Sequence, residues 1–241
     1  LNTSPVASTF PFVSSELSSD NGVLYGINRH NNSLILFDRF QLPNANFVVF
    51  ATSGAGKSYA IKLEVLRSLM LGSDIIIVDP EQEYKYLADS VGSTYINISL
   101  NSESKINPFD LPKPSNTEEA KTGDIIRSAV ITLKGLIRLM VGKLDHQEDA
   151  IIDRALLETY ARNDITPDTD LSTAKPPLMS DLQEILEGME GGEGLSLRLK
   201  KYTEGTFAGL INHPTNININ NQLVVFSVRD LEDELRPIAI Y

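Results

Sequence analysis

FVVFATSGAGKSYA, residues 47–60, runs from an apolar stretch through glycine, lysine and serine into a helical pattern. Its centre, Ala51 to Ser58, follows the phosphate-loop pattern G-x-x-x-x-G-K-[ST], with a strand expected before it and a helix after it. Residues 46–50, NFVVF, read as a short buried strand. After Ser58, Ile61, Val65, Leu66 and Leu69 mark a helical stripe, which Gly72 ends. Such a loop curls so that consecutive backbone N–H groups face one anion, and Gly54 and Gly56 supply the backbone freedom for it. The following helix aims its positive N-terminal end at the same place. Lys57 then reaches the β- and γ-phosphates of ATP, and the Ser58 hydroxyl joins the coordination of Mg²⁺. Ala51 stands where the pattern has its first glycine, an exchange tolerated if that residue keeps a negative φ. A chance turn is the alternative, and the flanking strand and helix patterns argue against it. Tyr59 is either a core residue or a neighbour of the nucleotide.

On either side of this loop the pattern is that of an α/β protein. Upstream, GVLYGINR and SLILFDRF flank HNNS and read as a β-hairpin. The serine-rich residues 1–22 read as a linker. Downstream, DIIIVDP is a continuous β-branched run closed by Asp-Pro, the signature of a parallel strand buried on both faces. STYINI is a further strand, so strand, helix and strand form a βαβ unit. From Gly123 to about Leu199 the period turns helical. Ile126, Val130, Leu133, Ile137 and Met140 share one face, and Ile151, Ile152, Ala155, Leu156 and Tyr160 another. ITPDTDLSTAKPP separates two of these helices, and Ser180 with Gln183 reads as a capping box opening the next, which ends at Gly191-Gly192. QLVVFSV, residues 222–228, returns to a strand, and RDLEDELRPIAIY begins a helix. No internal repeat is present.

The acidic stretch DPEQEY, residues 79–84, follows the second strand of the βαβ unit. Ligands of open parallel sheets bind beyond the carboxyl ends of the strands, which brings Asp79, Glu81 and Glu83 into consideration. Asp79 reads first as a turn residue capping its strand and second as a Mg²⁺-supporting aspartate. Glu81 is a candidate for a role near the attacking water, or is simply solvated. LVVFSV leads to Arg229-Asp230, where the aspartate comes one residue too late for a metal-supporting strand end. The strand that does this work is expected beyond Tyr241, so hydrolysis by residues 1–241 alone is expected to be negligible. Arg229 is a strand-end surface charge or a nucleotide sensor. His30, His146 and His213 show no metal-ligand spacing.

Composition narrows the partners. The chain has 241 residues, enough for one large domain or one domain with an insertion, and 41% of them are hydrophobic. It contains no cysteine, so no disulfide framework exists. No apolar run approaches the ~20 residues of a membrane helix. The first residues, LNTSPVASTF, lack a signal-peptide layout and a starting methionine, so the chain is expected to begin inside a longer protein. A net charge of −11 without a basic stripe argues for weak or no direct nucleic-acid binding.

PFVSSEL, GVLYGINR, SGAGKSYAIKLE, IIIVDPEQEY, INPFD and YTEGTFAGLINHPTNI occur in this order. Together they resemble the C-terminal ATPase domain of the VirB-four family, traffic ATPases of conjugation and type IV secretion in the HerA–FtsK superfamily. The resemblance implies an α/β fold with a P-loop RecA-like parallel-sheet core, an all-α insertion and, from the pattern above, an N-terminal β-hairpin. The corresponding division is 1–41 for linker and hairpin, 42–110 for the first part of the core, 111–204 for the insertion, and 205–241 for the return to a core left incomplete. The resemblance also implies an ATPase at the cytoplasmic face of the inner membrane, partnered by other secretion components and able to form a homo-hexamer. It places the nucleotide site at Thr52, Ser53, Gly54, Ala55, Gly56, Lys57, Ser58 and Tyr59, with DPEQEY close by. A DNA-translocating pump or coupling protein of the same superfamily, or a non-hydrolysing nucleotide-binding scaffold, are the alternatives.

Overall fold

The computed structural model describes residues 19, 21–112 and 121–241. Most of the linker expected over residues 1–22, the segment PFVSSEL and the first residues of the expected insertion lie outside these. The chain divides into two compact units. One takes the described residues up to Ile76 together with Asn221–Leu223, and the other Ile77–Asn220 together with Val224–Tyr241.

In the first unit, strands β1 (Val23–Ile27) and β2 (Leu34–Phe37) form the expected antiparallel hairpin. Its turn closes through Asn28 N–H to Ser33 O at 2.8 Å. Helix α1 (Lys57–Met70) packs on β1, where the Arg67 guanidinium donates to Leu24 O. Glu64 of α1 pairs with Arg39, which also lies over the Phe40 and Phe47 rings at 5.2 and 5.5 Å. Residues 47–50 form no strand. Val48 is 71% and Phe50 91% exposed, which corrects the expected buried strand. Strand composition alone does not make a strand; a ladder partner must satisfy the backbone, and none lies beside this segment among the described residues.

The remaining strands, β3 (Ile75–Asp79), β4 (Thr94–Asn97) and β5 (Leu223–Ser227), form one parallel sheet in the order β3-β5-β4. The register of β4 and β5 runs from Thr94↔Val224 to Asn97↔Ser227. Helix α2 (Lys85–Val91) packs on β4. β3 was expected to be covered on both faces, yet Ile76 is 69% exposed and Val78 is exposed as well. Among the described residues nothing covers that face, so its apolar run meets solvent.

Between β4 and β5 the described residues from Thr122 onward carry five helices: α3 (Thr122–Val141), α4 (His146–Arg162), α5 (Met179–Gly188), α6 (Glu193–Thr203) and the short α7 (Ala208–Ile211). The stripe Ile126, Val130, Leu133, Ile137 and Met140 is buried, as are Ile152, Ala155, Leu156 and Tyr160. These residues share one core with Ile96, Ile98, Val224 and Val228 of the sheet region. Lys134 of α3 reaches Asp149 and Asp153 of α4 at 2.8 Å each, and Arg138 reaches Asp149 at 2.5 Å.

Two helix starts differ from expectation. Helix α5 begins at Met179, where Asp181 reaches back to the Leu178 N–H at 2.8 Å; Ser180 lies inside the helix and Gln183 is buried, so neither forms the expected box. A true capping box opens α4, with Asp145 accepting from Glu148 N–H at 2.8 Å and Glu148 accepting from Asp145 N–H at 3.1 Å. The last helix, α8 (Arg236–Ile240), starts seven residues after Arg229. Pro237 accounts for this, because proline fits only the first turn of a helix, where no N–H is needed.

Two of the quoted motifs acquire a structural role. The Lys105 and Asn107 N–H groups donate to Asn216 Oδ1 and Thr215 Oγ1 at 2.7 Å each, and Asn216 Nδ2 donates to Glu103 O at 2.7 Å. Buried Asn107 also donates to Pro177 O at 2.9 Å and accepts from Phe109 N–H. The motifs INPFD and HPTNI are thus zipped side by side.

Candidate functional site

The loop before α1 has the conformation its glycines predict. Gly54 and Gly56 have φ of 78° and 89°, a region that residues with a Cβ rarely enter. Ala55 N–H closes a turn on Thr52 O at 3.1 Å, and Ala60 N–H donates to Gly56 O at 2.9 Å, so the helix starts directly at Lys57. No side chain caps this N-terminus, which leaves the first-turn N–H groups of a 14-residue helix open to an anion. A Cβ built on Gly54 or Gly56 would meet nothing within 4 Å, so the cradle is open. Lys57 is exposed and takes part in no ion pair among the described residues, and the half-exposed Ser58 hydroxyl has no hydrogen-bond partner there. Thr52, Ser53, Ala55 and Tyr59 are exposed; at 69% exposure Tyr59 is not a core residue. Uncapped N–H groups, an unpaired lysine and a free hydroxyl together fit the phosphates of a nucleotide and its Mg²⁺.

Glu81 belongs to the other unit, on the turn after β3. There Asp79, 2% exposed, accepts from Glu81 N–H at 3.2 Å through Oδ1 and from Tyr84 N–H at 2.9 Å through Oδ2. Both carboxylate oxygens therefore bind the backbone of the turn. The Arg229 guanidinium donates to Glu81 O at 3.3 Å. The Glu81 and Glu83 side chains are exposed. Gln82 carries a φ of 62°, a left-handed conformation uncommon for a residue with a side chain. Burial, helped by the charges of Glu83 and Asp79, pushes the Tyr84 phenol above its ordinary pKa and keeps it protonated.

At the ends of β4 and β5, Asn97 Nδ2 donates to Asp230 at 2.8 Å. That aspartate serves its neighbouring strand rather than opening a helix. No group of three or more metal-ligating side chains occurs among the described residues. None of their helices is long and apolar enough to cross a membrane.

A parallel sheet with crossover helices and a glycine-lysine-serine loop opening a helix defines a P-loop α/β protein. The chain belongs to the family described as "Helicase HerA, central domain", which matches residues 35–234. It is similar to VirB4 of Thermoanaerobacter pseudethanolicus, at 30% sequence identity and a TM-score of 0.79. That likeness covers 94% of this chain, and the chain spans 62% of the VirB4 chain. It bears out the α/β fold with its parallel sheet, helices and hairpin. No curated protein matches.

Proposed function

We propose that this chain supplies the MgATP-binding part of the hydrolysing motor of a VirB4-type traffic ATPase, with turnover belonging to the intact protein. The observation that carries this reading is the open phosphate loop: left-handed Gly54 and Gly56, an uncapped α1 and an unpaired Lys57. The N–H groups of the loop and first helical turn hold the triphosphate, and Lys57 takes charge developing on its outer oxygens. Ser58 contributes a hydroxyl to the metal. Bound Mg²⁺ neutralises charge on the transferring phosphoryl group. Glu81 orients the attacking water.

The energy released is used, on this reading, in type IV secretion and conjugative pilus assembly. The protein works as a homo-hexamer at the cytoplasmic face of the inner membrane, beside other secretion components. The helicase description of the family favours a second reading, a DNA-translocating pump. The net charge of −11 weighs against it.

The test is Lys57→Ala in the intact protein. Steady-state ATP turnover is expected to vanish while the melting temperature stays within a few degrees, because an exposed loop lysine buries little surface. An unchanged rate would overturn the assignment. Duplex DNA that stimulates the wild-type rate at physiological salt would select the pump.

A further inference from the structure

We infer that Asp79 and Arg229 are positioning residues that fix Glu81, rather than a metal ligand and a nucleotide sensor. The inference rests on the ATPase reading above. Glu81 is the residue of the turn whose two peptide groups are both tied by side chains. Its N–H donates to Asp79 Oδ1 at 3.2 Å, and its carbonyl accepts from Arg229 Nη1 at 3.3 Å. The second Asp79 oxygen holds the far end of the turn through Tyr84 N–H at 2.9 Å. Asp79 itself is anchored as the last residue of β3, where its carbonyl accepts from Val228 N–H at 3.1 Å on the neighbouring segment.

The chemistry follows from this arrangement. A carboxylate that spends both oxygens on backbone N–H groups, inside the protein, offers little access to a cation. A turn held at three points can sustain the left-handed backbone at Gln82, because strained conformations persist where the surroundings over-determine them. The product is an exposed Glu81 carboxylate on a rigid support at the carboxyl end of a parallel strand, where ligands of such sheets bind. A carboxylate that must orient a water gains from such rigidity, since misplacement by about 1 Å costs up to ~100-fold in rate.

The experiment is a double-mutant cycle in the intact protein, with Asp79→Asn and Glu81→Gln made singly and together, and Arg229→Ala as a companion. If Asp79 acts through Glu81, Asp79→Asn lowers kcat about 10–100-fold in the wild-type background and adds little on top of Glu81→Gln. Nucleotide affinity and the Mg²⁺ concentration for half-maximal rate stay within about twofold. Arg229→Ala follows the same pattern with a smaller loss. Hydrogen exchange supplies a readout independent of turnover: the peptide containing Glu81 and Tyr84 gains exchange in Asp79→Asn, while the core helices do not. A multiplicative loss in the double variant, or a large rise in the Mg²⁺ requirement, overturns the inference and returns Asp79 to the metal. Unchanged exchange in the turn overturns it as well. Failure of the underlying reading looks different: the wild-type rate would then be indifferent to Lys57→Ala.

Discussion

Asp149 is the residue on which the α3–α4 contact turns. Hydrogen bonds from Lys134, and then from Arg138, hold its carboxyl below the ordinary value of 3.8. Burial opposes the charge on Lys134, but the bonds to Asp149 and Asp153 outweigh it and leave the ammonium above its ordinary value of 10.5. A depressed carboxyl contributes stability that is present above its unfolded pKa and lost as pH falls through the folded one. A raised ammonium contributes stability that is present below its unfolded pKa and lost as pH rises through the folded one. Asp149→Asn is therefore expected to be less stable than the wild type in urea unfolding at pH 7, with the difference closing below about pH 4. A difference that persists undiminished at pH 3 would show that packing, not charge, is what the substitution removes.

At the scale of elements, the junction between the sheet region and the helices rests on Tyr160 of α4. It is buried, its hydroxyl donates to the Phe109 carbonyl at 3.1 Å, and the two rings meet edge to face at 5.8 Å between centroids. Tyr160→Phe keeps the ring and leaves a buried carbonyl unpaired, at an expected cost of about 1–3 kcal/mol in chemical denaturation. A loss below about 0.3 kcal/mol would mean that the carbonyl finds another partner.

Elements like α4 were legible because apolar residues at a period of 3.6 have one stable use, facing a core. The loop was legible too: Gly54 and Gly56 stand where left-handed backbone is needed, and they adopt it. What stayed hidden depended on partners. NFVVF and IIIVD carry the same kind of residues, yet only the second lies beside a strand that can bond it. Composition leaves both readings of Asp79 open, because turn cap and metal ligand use the same carboxylate; its bonds from two backbone N–H groups, visible only in three dimensions, favour the turn cap. Nothing in the local pattern marks the seam, since Asn107 N–H meets Thr215 and Asn216 Nδ2 meets Glu103, each more than a hundred positions away. The box that opens α4 is itself written in the sequence as D-x-x-E, Asp145 to Glu148.

For the molecule as a whole, the seam joining residues 103–107 to 215–216 bears on time as well as on strength. Lys105 and Asn216 are 111 positions apart, and Asn97 and Asp230 are 133 apart. The helices between them are built from local contacts, and local contacts form early, whereas closing so long a loop is slow until something shortens it. The expected order is helices first, strand pairing of β4 with β5 next, and the asparagine latch last. A latch made after the rate-limiting barrier leaves the folding limb of a chevron untouched and slows only escape from the native state. Asn216→Ala should then speed unfolding several-fold while refolding keeps its rate in stopped-flow denaturant jumps. Equal slowing of refolding would place the seam in the nucleus instead. On the expected outcome, the two asparagine-bearing loops set how long the fold lasts once made, and have little say in how fast it forms.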